Sequence, residues 1–245
     1  ARTDVSNVVY DQSDFGDTNL ETNTASFTLG VNHYYYPGEQ NGDFNIHSVY
    51  VWDRELSNAE MKLVTGGIRK EIGGVPDLSP TASPTVVPIS DLRAYYMRSL
   101  LAMRPAQSIN IFADLEASTV RNRVGAGFEA TVSAGTATKV PYTTAVNGAN
   151  NTITVIRGTT LTKLLWPSNS LPGTMTFCSV SRYSGTSFNR ILNCDGSTQW
   201  LNFFHGHDGS RRGVAMYYDD RNGYVTQRAA SVGVLTDWLI MCGTS

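Results

Sequence analysis

GDFNIHSVYVWDRELSNAEMKLVTGGIRKEIGG, residues 42–74, joins a strand to a helix. Phe44, Ile46, Val49 and Val51 are apolar within a run closed by Trp52, which reads as a strand with at least one buried face. Asp53 and Arg54 break the run. Ser57 and Glu60 then have capping-box spacing: the serine oxygen accepts from a backbone N–H in the first helical turn, and the glutamate reaches back to the cap's own N–H. Leu56 before the cap and Met61 after it are placed for a hydrophobic staple, and Leu63 and Val64 continue a short apolar stripe. Gly66-Gly67 is a stop signal, with a second at Gly73-Gly74, so the spacing predicts one short helix near residues 57–66.

Outside this stretch the chain reads as β. It has 245 residues, 16% of them charged, and a net charge of −2, with a pI near 6.1. That suits one large β domain or two small ones. No basic surface for nucleic acid is indicated, and no apolar run approaches the roughly 20 residues of a membrane span. Residue 1 is Ala1, with no signal peptide after it, which reads as a processed or truncated end. The cysteines Cys178, Cys194 and Cys242 allow one disulfide and a leftover thiol, or three free thiols. Cys178 and Cys242 lie in the apolar runs TMTFCSV and DWLIMC, where a buried small hydrophobe is the default reading. Asn150-Asn151-Thr152 is a glycosylation sequon, usable at Asn150 if the chain is secreted.

A strand running into Trp-Asp-Arg-Glu-Leu-Ser-x-x-Glu-Met and one short helix resembles the closing segment of a laminin-G-like (concanavalin A-like) jelly roll. The resemblance implies an all-β fold: a two-sheet antiparallel jelly-roll sandwich with one short helix. In that family the segment ends the domain, whereas here most of the chain follows it. Residues 75–90, VPDLSPTASPTVVPIS, carry four prolines at four-residue spacing and read as an extended polyproline-II linker. Beyond it, short alternating runs separated by Gly, Asn and Pro turns continue to the end, with an Asn222-Gly223 hairpin signal. These runs resemble the beginning of the same family: the strand near Ala94-Tyr95-Tyr96, the Asp114 segment, the central strand Thr176–Tyr183, the strand at Trp200 and the strand starting at Trp238.

Residues 1–74 thus resemble the C-terminal half of a laminin-G-like jelly roll, and residues 91–245 its N-terminal portion. Joining Ser245 to Ala1 gives a strand, a turn and a strand in the family's order. Three arrangements produce this register: one period of a tandem array, a circular permutant, or a head-to-tail polymer in which residues 1–74 complete a neighbouring copy. Neighbouring copies of the same repeat are therefore the expected partners, in a filament or surface coat.

Little chemistry is legible. Glycoside hydrolysis on such a fold needs two nearby carboxylates, and no strand here carries such a pair, so the chain reads as a non-enzyme. His205-Gly206-His207-Asp208 has two histidines that share a face on a strand, but Gly206 and Gly209 suggest a loop, and structural packing is favoured over a transition metal. With Trp200, Phe203, Tyr217 and Tyr218, His205 and His207 supply the aromatic faces and polar edges of a sugar site. Tyr34, Tyr35 and Tyr36 must reach both faces of a strand, which suits a partly exposed edge. The resemblance also implies one Ca²⁺ held at the rim, with Asp114, Asn122 and Asp43 as candidates by position. The family's Asp-x-Ser-Gly-Asn reads here Asp114-Leu115-Glu116-Ala117-Ser118, without the Gly-Asn. The function expected is a non-catalytic extracellular structural or adhesive repeat on a cell or virion surface. The alternative is a lectin-like carbohydrate-binding module.

Overall fold

The computed structural model describes residues 8–10, 28–33, 41–73, 109–112, 115–122, 129–142, 147–172, 174–194, 203–217 and 234–244. In chain order these form β1 (Val8–Tyr10), β2 (Leu29–Val31), β3 (Phe44–Trp52), α1 (Asn58–Glu71), β4 (Ile109–Phe112), β5 (Leu115–Glu116), β6 (Thr119–Val120), β7 (Ala130–Ala134) and β8 (Thr138–Tyr142). Then come β9 (Ile153–Gly158), β10 (Lys163–Leu165), β11 (Thr176–Tyr183), β12 (Leu192–Cys194), β13 (Phe203–Asp208), β14 (Arg211–Tyr217) and β15 (Leu239–Thr244). Linker residues 75–90, the three consecutive tyrosines, Trp200, Tyr218, Asp114 and the Asn222-Gly223 turn lie outside the described residues.

The strands make a β-sandwich with one helix. One sheet has eight strands in the order β14-β13-β12-β2-β10-β7-β6-β5. The other has five antiparallel strands in a row, β15-β11-β3-β9-β8, extended by β1 beside β15 and by β4 on β3. The β1–β15 pairing is parallel, with Val8 opposite Ile240.

β3 is buried along its whole length because both of its faces are covered. Phe44, Ile46, Val49 and Val51 enter the core between the sheets. Tyr50 and Trp52 enter a second core under α1. The inward residues change parity between Ile46 and Val49. The register explains this: Val180 faces Ser48 and Ser181 faces Ile46, leaving His47 as one extra residue. A bulge of this kind resets the alternation without leaving the strand. At the same point β3 changes neighbours, pairing with β9 over Phe44–Ile46 and with β4 over Ser48–Val51.

The helix begins where its cap predicts and ends at the second of its two glycine stops rather than at the first. Glu60 accepts from the Ser57 N–H at 2.9 Å, and Met61 N–H donates to the Ser57 carbonyl at 2.9 Å. Leu56 and Met61 are both buried at the entry, and Arg54 pairs with Glu60 at 2.7 Å. That hydrogen bond from Arg54, with those at Ser57, lowers the Glu60 pKa to about 2. Substituting Ser57→Ala is expected to cost about 1 kcal/mol, read as a drop in the urea midpoint with unchanged slope.

The helix then runs through Gly66 and Gly67 to Glu71. Each glycine costs about 1 kcal/mol against alanine in a helix interior. Continuing the helix buries Ile68 and Ile72 at 0% exposure, worth roughly 1.5–3 kcal/mol each, so burial wins. The true stop is Gly73, at φ +88°, where an added Cβ would come within 2.6 Å of the Asn151 nitrogen. The carbonyls of the last turn are taken by the loop before β9: Asn150 N–H donates to Ile72 and the Asn151 side chain to Glu71.

Cys178 and Cys242 face each other across β11 and β15 and are joined in a disulfide. They sit in the core beneath α1, so the reading as free buried hydrophobes is corrected, while Cys194 is buried and takes no part in that disulfide.

Candidate functional site

β13 runs Phe203–Asp208 as a continuous buried strand, and its turn to β14 is only Gly209 and Ser210, both at positive φ, +53° and +61°. A two-residue turn with both residues left-handed matches the twist of a hairpin. The loop expected from Gly206 onward therefore begins only at Gly209. The Gly-Ser pair between two alternating runs is the signal that marks it.

The alternation of β13 does place His205 and His207 on one face, but that face is the interior. Both are at 0% exposure. His205 Nε2 lies 3.2 Å from the Met241 carbonyl, an acceptor only, so that nitrogen carries the hydrogen. Its ring packs on Phe177. His207 Nδ1 lies 3.4 Å from Ser181 Oγ, with its ring edge-on to Tyr183. Burial lowers the His205 pKa to about 3. Burial also holds His207 well below its ordinary value, with Arg212 and His205 acting the same way. Both imidazoles are neutral, and neither is offered to a glycan at the surface.

Arg212 joins them inside because of one extra residue in β14. Gly206 pairs with Val214 and His207 with Arg212, so Gly213, at φ +75°, is the bulge that turns Arg212 inward. Its guanidinium donates to the Val234 and Trp238 carbonyls at 2.6 and 3.2 Å, with Asp237 3.9 Å away. Desolvation pushes its pKa down to about 10. Asp208 accepts from Arg190 at 2.9 Å and from Arg211 at 3.2 Å, and Arg190 stacks over Phe204. The Arg212 bonds to the Val234 and Trp238 carbonyls tie the β13–β14 hairpin to the segment leading into β15.

The calcium candidates are placed as follows. The Asp43 carboxylate accepts from the backbone N–H groups of Thr160, Thr186 and Ser187 at 3.1, 3.1 and 3.2 Å. Beside it the buried Asn32 amide donates to the carbonyls of Gly42, Thr159 and Thr162. Side chains here tie the loops that close this end of the sandwich. Asn122 is half-buried just after β6. Among the described residues, no group of three or more His, Cys, Asp or Glu is placed to hold a metal ion. Tyr217 closes β14. Asn150 is exposed, and its amide nitrogen donates to the Gly73 carbonyl at 3.1 Å.

The outer face of the five-strand row carries a polar set that the linear pattern does not reveal. Arg182 on β11 faces Asn45 on β3, and Asn45 faces Arg157 on β9. Arg182 lies under Tyr142 and Trp238, its guanidinium carbon 5.2 and 5.9 Å from their ring centres. Arg182 shares its outward face with Val180 and Cys178, two and four residues earlier, which is the sequence signal for its direction.

Fold and interior together define a two-sheet β-sandwich with a docked helix and a buried disulfide. No protein-family model, no curated protein and no solved structure matches the chain.

Proposed function

We propose that this chain is a non-catalytic extracellular structural or adhesive module on a laminin-G-like jelly-roll plan, whose copies associate head to tail by completing one another's sandwiches. One observation carries the reading. β2 and β3, both from the first 74 residues, occupy interior positions in the two sheets: β2 between β12 and β10, β3 between β11 and β9. Removing them opens a seam in each sheet and exposes the edges of four strands, a state that pairs with any chain offering the same strands. The Pro-rich stretch at 75–90 spans up to roughly 50 Å when extended, at about 3.1 Å per residue, enough to place those strands in the same copy or the next. A heterologous contact that does not close makes a filament.

The buried disulfide fits an oxidising compartment. Among the described residues, no helix is long and apolar enough to cross a membrane.

Light scattering on native material, beside denaturing mass analysis, tests the proposal. The expected result is open assemblies whose size grows with concentration. A strictly monomeric chain at all concentrations contradicts assembly by exchange. Glycan-array binding abolished by Trp200→Ala would replace the structural reading with the lectin-like one.

A further inference from the structure

We propose that the row Arg182–Asn45–Arg157, on the outer face of the sheet, is a binding site for an anionic ligand that presents a carboxylate or sulfate group. This inference stands apart from the structural reading above and does not depend on how copies associate.

The row spans three neighbouring strands at matched register, so its side chains emerge side by side. Asn45 is at 1% exposure and Arg182 at 8%, while Arg157 is exposed. Two like charges thus flank one amide, one buried and one open to solvent. Neither arginine makes an ion pair with a described carboxylate. Asp237 is felt by Arg182 only at longer range, and Arg157 opposes it with like charge. A buried guanidinium without a counter-ion is a costly arrangement, and it is the arrangement that an incoming oxyanion relieves.

Two donors in the row are left over. Arg182 Nη1 donates to the Tyr142 hydroxyl at 2.6 Å. With its amide turned to satisfy its neighbours, Asn147 accepts from Tyr142 and from both Nη atoms of Arg182. That fixes the outer end of the guanidinium and leaves its Nε hydrogen buried without a partner. Asn45 Oδ1 accepts from Arg157 Nε at 3.1 Å, which turns the Asn45 amide nitrogen the other way, also buried without a partner. One N–H of a cation and one neutral amide N–H therefore stand unpartnered beside an exposed second guanidinium whose Nε is already taken by Asn45. Such charge-assisted donors are the usual recognition groups for planar or tetrahedral oxyanions. Tyr142 and Trp238, edge to face at 5.4 Å and themselves buried, cover the Arg182 guanidinium, so the row is open to solvent at Arg157.

The test is a titration of the full-length native chain, followed by Trp fluorescence and calorimetry, with three probes: sodium sulfate, sodium glucuronate and uncharged glucose. The expected result is saturable binding of sulfate and glucuronate, none of glucose, and loss of affinity as sodium chloride is raised. Arg157→Gln is exposed and should fold normally; it is expected to weaken binding at least tenfold. Asn45→Asp, which puts a negative charge in the row, is expected to abolish binding. Glucuronate tighter than sulfate would identify an acidic sugar as the ligand, and equal affinities would identify the free oxyanion; both support the site. Absence of saturable binding by either anion, or wild-type affinity in folded Arg157→Gln, would overturn it.

Discussion

Between pH 7 and pH 5 the folded chain is expected to lose about 2 kcal/mol of stability through His205 alone. In the unfolded chain a histidine takes up a proton near pH 6.5. In the folded chain His205 stays neutral until about pH 3, because burial disfavours the charged ring more than its bond to Met241 favours it. The unfolded state therefore binds more protons at every pH between these values, and stability falls as pH falls. At pH 5 the gap is about 1.5 pH units at about 1.4 kcal/mol per unit, which gives the figure above. His207 acts in the same direction, with Arg212 beside it. Glu60 works in a lower window: its depressed pKa contributes stability above the ordinary carboxylate range and loses it only as pH falls toward about 2. Urea midpoints at pH 7 and pH 5 measure the effect. His205→Gln, which keeps a donor for the Met241 carbonyl, should lose less stability over that interval than the wild type. An unchanged wild-type midpoint at the two pH values would show that these histidines are not held neutral inside.

Breaking the Cys178–Cys242 disulfide should cost about 4 kcal/mol. The two cysteines are 64 residues apart in sequence, and closing a loop of that length restricts the unfolded chain by roughly that amount at 25 °C. The bond also lies in the core beneath α1, among Val180, Ile240 and Ile68, so removing it leaves two polar thiols or hydroxyls among apolar neighbours. The double variant Cys178→Ala/Cys242→Ala separates the two contributions, because it restores an apolar surface without the crosslink. Both the reduced protein and this variant should melt well below the oxidised wild type. Equal midpoints for oxidised and reduced protein would mean that the register of β11 and β15 holds without the bond.

The strand–cap–helix unit at residues 42–74 was legible because its signals are local. Alternation, the Ser57–Glu60 spacing and the Leu56–Met61 staple all lie within a few residues of one another. Which of the two glycine stops holds was not, since Gly66-Gly67 argue locally for the first and the burial of Ile68 and Ile72 against another part of the chain carries the helix on to the second. The shared direction of His205 and His207 followed from strand alternation. Whether they faced in or out depended on which sheet lay opposite. The bulge at Gly213, which adds Arg212 to them, has no signature beyond a single glycine.

Long-range pairings were further out of reach. Three cysteines permit three single disulfides, and only the β11–β15 register selects one. Asn45, Arg157 and Arg182 belong to three separate runs. Each reads alone as an ordinary polar residue, and only the strand order brings them together. The apolar run announced at least one buried face for β3; that both faces are covered came only with the sheet and helix packed on either side.

The central claim is that the first 74 residues supply interior strands to the sandwich formed by the rest. A protease site placed between residues 75 and 90 tests it most directly, by cutting the folded chain and following both pieces by native mass spectrometry and thermal melting. The two pieces are expected to stay bound one to one, to melt in a single transition and to separate only on denaturation. If residues 91–245 come away from the cut chain still folded, with an unchanged melting temperature, the strands of residues 1–74 are not part of the sandwich and the account is wrong.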